Sequence, residues 1–130
     1  MNAFAARLSD ELAGGRPYTC LFTDDQELQR LNRMFLGKDQ PTDVLSFPSA
    51  DESSLGELAI SVERARQQAD DFGHELAHEL RILMLHGVLH LLGHDHESDR
   101  GRMARLEKHW RERLDLPAGL IERSRRGKAG

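Results

Sequence analysis

Glu75-Leu76-Ala77-His78-Glu79-Leu80-Arg81-Ile82-Leu83-Met84-Leu85-His86-Gly87-Val88-Leu89-His90-Leu91-Leu92-Gly93-His94-Asp95-His96 carries the densest apolar run of the 130-residue chain. Its length and composition predict a helix from about Glu75 to Leu92, ended by Gly93 in the left-handed position beyond the C-cap. From Ile82 to Leu92 both faces are apolar, and a helix apolar all round belongs at the centre of a fold. The rest of the chain is therefore expected to be wrapped around it.

Working outward, Phe4, Leu8 and Leu12 have helical spacing within residues 3–13, and Gly14-Gly15-Arg16-Pro17 stops them. Tyr18-Thr19-Cys20-Leu21-Phe22 is β-rich, and Thr23-Asp24-Asp25-Gln26 reads as a capping box opening a helix whose Leu28, Leu31 and Phe35 form one stripe up to Gly37. Val44-Leu45-Ser46-Phe47, bracketed by Pro41 and Pro48, and Leu58-Ala59-Ile60 are short strands expected to pair as a hairpin. Ser61 caps a helix through Phe72, which Gly73 breaks; a last helix follows Ser98, with Met103, Leu106, Trp110 and Leu114 on one face. From Pro117 onward a frayed basic tail is expected. The order α-β-α-β-β-α-α-α holds one β-α-β crossover and one hairpin. It predicts an α+β fold, a small mixed β-sheet covered by helices, with the histidine-bearing helix central and residues 1–130 forming a single domain.

No apolar run approaches the roughly 20 residues of a membrane span, and Met1-Asn2-Ala3-Phe4-Ala5-Ala6-Arg7 lacks the basic-then-apolar order of a secretory signal. With Cys20 as the one cysteine, no internal disulfide can form, and a soluble cytoplasmic protein is expected. The net charge of −4 is unevenly spread: from Asp99 onward ten Lys and Arg face five Asp and Glu. That basic segment can meet a phosphate backbone or simply form a solvated helix face.

Among the seven histidines, His86, His90 and His96 stand out. Positions four apart on a helix lie one above the other, so His86 and His90 project from one face. Gly93 permits the left-handed turn that lets His96 return toward them. Three imidazoles suit one Zn²⁺ per chain and leave its fourth position to water, whose pKa on such an ion drops from 15.7 to roughly 7. His94 or Asp95 as a fourth donor would instead close the site into a structural one. The ligand and glycine spacing is that of the metzincin zinc peptidases, H-E-x-x-H-x-x-G-x-x-H, a zincin-like site, except that Gly87 replaces the glutamate base.

Leu85 to His96, together with Gly37-Lys38-Asp39-Gln40-Pro41-Thr42-Asp43-Val44-Leu45-Ser46-Phe47-Pro48 and Leu55-Gly56-Glu57-Leu58-Ala59-Ile60-Ser61, resembles the YbeY-type rRNA maturation factors over roughly residues 18–115. The resemblance implies a metal-dependent, single-strand-specific endoribonuclease acting in small-subunit rRNA 3′-end maturation and ribosome quality control. Its zinc ligands would be His86, His90 and His96, and its partners rRNA and small-subunit ribosomal components. Two places depart from the family: Leu36 stands where an arginine usually precedes the Gly-Lys-Asp run, and Glu57 where Asp is common. Lys38 or Arg33, one turn before Leu36, is then expected to neutralise substrate phosphate, and Asp95 to orient a ligand or the water, or else to cap the turn after Gly93. Glu79 lies too far along the helix from His86 to ligate the same ion, and a salt bridge is expected of it. Two other functions are compatible with the pattern: a zinc metallopeptidase with a different base, and a non-enzymatic ribosome assembly factor with a structural zinc.

Overall fold

The computed structural model describes residues 1–94, 100–121 and 123. In chain order the elements are α1 (Asn2–Leu12), β1 (Tyr18–Thr23), α2 (Asp25–Leu36), β2 (Val44–Pro48), β3 (Gly56–Ser61), α3 (Val62–Phe72), α4 (Leu76–Leu91) and α5 (Arg102–Arg113). The architecture is α+β, as the order of elements predicts.

The three strands lie in the order β1-β3-β2. β3 pairs antiparallel with β2, Val44 opposite Ile60, which is the expected hairpin. It also pairs parallel with β1, Tyr18 opposite Gly56, so the sheet is mixed and β3 is its middle strand. A middle strand covered on both faces must be apolar at successive positions rather than alternate ones. Leu58, Ala59 and Ile60 meet that need: Leu58 and Ile60 enter the main core, whereas Ala59 packs with Leu28 and Leu45 on the α2 side.

α4 occupies the centre, against β2, β3, α1, α3 and α5. Every residue from Ile82 to Leu89 is buried. The caps fix the element ends. Ser61 accepts the Arg64 N–H at the start of α3. At the start of α2 the cap is Asp24, which accepts the Glu27 N–H at 2.8 Å, and not the predicted Thr23. Thr23 is still the last residue of β1, paired with Ser61, and cannot also open the helix.

Of the stretch from Pro117 for which fraying is expected, residues 117–121 and 123 are described. Leu116 and Ile121 are core side chains, and Arg123 is buried against Glu79. No helix among the described residues is long and apolar enough to cross a membrane.

Candidate metal centre

His86 and His90 project from the C-terminal half of α4, one turn apart. Their Nε2 atoms face each other at 3.1 Å. His86 is 8 % exposed, and its Nδ1 lies 2.7 Å from Oε2 of Glu107 on α5. A carboxylate can only accept, so the imidazole places its proton on Nδ1 and keeps the Nε2 lone pair turned toward His90. This is the arrangement in which a metal-ligating histidine is usually oriented by a carboxylate behind it.

The geometry suits a small tetrahedral cation. Two nitrogens each about 2.0–2.1 Å from one zinc ion stand roughly 3.3 Å apart, close to the separation of the two Nε2 atoms. Among the described residues no group of three His, Cys, Asp or Glu converges as a metal cluster. His96 and Asp95 lie outside the described residues.

The chain turns where the sequence predicts. The Gly93 N–H bonds the His90 carbonyl at 2.9 Å, and the His94 N–H bonds the Leu89 carbonyl at 3.1 Å. With Gly93 at φ 96°, these two bonds make a Schellman turn, which satisfies the last carbonyls of α4.

The sheet positions α4. Ser46 and Leu58 are opposite one another in the β2–β3 ladder, and both face the helix. The Ser46 hydroxyl donates to the Gly87 carbonyl at 3.2 Å. A Cβ at Gly87 would lie 2.7 Å from Cδ2 of Leu58, so the helix backbone at residue 87 packs directly against the sheet. The glutamate of the peptidase pattern has no room there.

A groove of about 420 Å³ runs past the two imidazoles, bounded by β2 and by the end of α2; Leu36, Thr42, Asp43, Ser46, His86 and His90 are among its lining residues. Leu36, 53 % exposed, thus stands on the rim of the histidine groove. Arg33 and Lys38 are exposed and do not line it. Arg33 lies 3.7 Å from Asp39 and borders a shallow depression with Asp24, Glu27 and Arg30. Glu79 makes the expected salt bridge, buried, with Arg123.

Sequence reasoning overlooked Glu107. The signal is present, since 107 falls four residues after Met103 and three before Trp110, on the face of α5 turned to the core, where a carboxylate needs a partner.

Comparison with known proteins gives a family model described as Endoribonuclease YbeY, which matches residues 5–115. A protein of Solibacter usitatus named endoribonuclease YbeY is 65 % identical over 123 residues, covering 95 % of this chain and 83 % of that protein. A Koribacter versatilis protein of the same name is 54 % identical over 104 residues, covering 80 % and 68 %. A solution structure from Thermotoga maritima superposes with a TM-score of 0.60 at 27 % identity, over 84 % of this chain and 75 % of that one.

Proposed function

The chain belongs to the endoribonuclease YbeY family, and we propose that it is a zinc-dependent, single-strand-specific endoribonuclease acting in small-subunit rRNA 3′-end maturation and ribosome quality control, in the cytoplasm. The proposed ligands of one zinc ion are His86, His90 and His96. The observation that carries this reading is the pair of facing Nε2 atoms at 3.1 Å, with the His86 ring oriented by Glu107, at the wall of an open groove.

When bound, zinc supplies Lewis acidity toward a phosphoryl oxygen and makes water a usable nucleophile near neutral pH. The chain's own groups do the rest. His86 and His90 stand on one rigid helix face; their 3.1 Å contact needs one proton between the two Nε2 atoms, which His90 would give up when the ion binds. Gly87 contributes no general base and instead seats the helix on the sheet. Ser46 ties β2 to α4, so the strand edge and the imidazoles keep one fixed spacing along the groove. In the proposal Asp95 orients a ligand or the water, and Lys38 or Arg33 neutralises phosphate charge on the approach from the end of α2.

Cleavage of a structured rRNA fragment by the wild type and by His90→Ala, each with its zinc content measured, tests the reading. The wild type is expected to carry one zinc and to cut single-stranded regions, and the variant to lose both properties. RNA cut at full rate by His90→Ala overturns it. Zinc retained by a wild type that binds rRNA without cutting favours the assembly-factor function, and zinc-dependent cleavage of peptides favours the peptidase.

A further inference from the structure

Glu107 is 1 % exposed and spans two parts of the molecule. Oε2 lies 2.7 Å from His86 Nδ1, and Oε1 accepts the Ile121 N–H at 3.0 Å. Gly119 is the floor under this carboxylate: a Cβ there would stand 2.7 Å from Cδ of Glu107 and closer still to Oε1. The segment that supplies Gly119 and Ile121 is itself anchored twice. Leu116 and Ile121 enter the core, and Arg123 donates through Nη1 to both oxygens of Glu79, at 2.5 and 2.9 Å, with its guanidinium 4.4 Å from the centre of the Phe72 ring.

We propose that residues 116–121, with Arg123, form a strap that sets the donor atom of His86: the strap holds the Glu107 carboxylate against Nδ1, which leaves the Nε2 lone pair facing His90. Glu107 is then a positioning residue, and Gly119 and the Ile121 N–H are its supports, although neither lies on the groove. The physical reason is the count of acceptors. The Ile121 N–H makes Oε1 an acceptor, and a carboxylate can only accept at Oε2 as well, so the 2.7 Å contact calls for a proton on His86 Nδ1. A neutral imidazole has one proton to place, and the carboxylate decides which nitrogen holds it. A buried acceptor with two fixed donors has no alternative orientation that keeps both bonds.

The inference rests on the proposed zinc site for its consequence, but its structural content concerns the metal-free chain, and the test separates the two. Long-range proton–nitrogen NMR of the metal-free wild type at about pH 8, above the ordinary histidine range, is expected to show His86 protonated at Nδ1 and bare at Nε2. Glu107→Gln, which must turn one N–H toward a donor, and Gly119→Ala, which displaces the carboxylate while leaving the identity of every side chain of the site unchanged, are both expected to lose this tautomer preference. In a competition titration with a chromophoric chelator both variants should bind zinc roughly 10–100-fold more weakly. Should Glu107→Gln fail to fold, Gly119→Ala carries the test. A Gly119→Ala chain that keeps the Nδ1–H tautomer and wild-type zinc affinity overturns the proposal, as does a wild type with His86 protonated at Nε2. A wild type that shows the expected tautomer but takes up no zinc overturns the zinc reading and leaves the strap standing.

Discussion

Gly87 rests its helix directly on Leu58, since any Cβ at 87 would come within 2.7 Å of Cδ2 of that buried side chain. The contact lies between the two histidines of α4, so the closeness of helix and sheet also sets how far the imidazoles stand from the β2 edge. Gly87→Ala is expected to destabilise by about 1–3 kcal/mol, the usual cost of forcing a methyl group into a packed core. In a double-mutant cycle with Leu58→Ala by urea denaturation, the pair should be less unstable than the sum of the singles by about 0.5–3 kcal/mol. Additive losses would show that the two residues do not share the space.

His86 and His90 should behave differently when removed. His86→Ala leaves the Glu107 carboxylate buried with the Ile121 N–H as its one remaining bond of the two, a loss expected to cost about 1–3 kcal/mol. His90 is only partly buried, and His90→Ala should stay within about 1 kcal/mol of the wild type in the metal-free state. Equal thermal midpoints for the two metal-free variants would contradict this ordering.

Leu36 stands on the rim of the groove that contains both imidazoles. A cation placed there should add one phosphate contact. Leu36→Arg is expected to tighten binding of single-stranded RNA by about tenfold at low salt and to steepen the log–log salt dependence by about 0.7. An unchanged slope, measured by fluorescence anisotropy across salt concentrations, would show that RNA does not follow the groove past residue 36.

Burial pushes the Cys20 thiol from its ordinary 9.0 up to about 11. The folded state then holds the proton when the unfolded chain has already lost it. Stability from this group is intact below about pH 9 and is lost progressively as pH rises toward about 11. Cys20→Ala should flatten that alkaline decline, and native Cys20 should be alkylated at pH 9.0 much more slowly than in urea. Alkylation at the unfolded rate would refute the burial argument.

What the sequence made legible is what local spacing encodes. Apolar residues on both faces of 82–92 put α4 at the centre, the four-residue interval put His86 and His90 on one face, and Ser61, Gly37, Gly73 and Gly93 marked helix ends where they are found. The remainder depends on partners distant in the chain. Nothing near Glu107 names His86, 21 positions away, and nothing near Arg123 names Glu79, 44 positions away. Periodicity tells which face is buried, not which buried charge meets which. The middle position of β3 does carry a local mark, the successive apolar Leu58, Ala59 and Ile60, but its parallel pairing with the distant β1 does not.

The central claim, that His86, His90 and His96 share one zinc ion with a position left to solvent, is tested most directly by zinc K-edge X-ray absorption on the stoichiometrically loaded protein. The account predicts three imidazole nitrogens at about 2.0–2.1 Å and one further light-atom neighbour that exchanges with added anion. A fourth protein donor that no anion displaces, or fewer than three imidazoles, would contradict it.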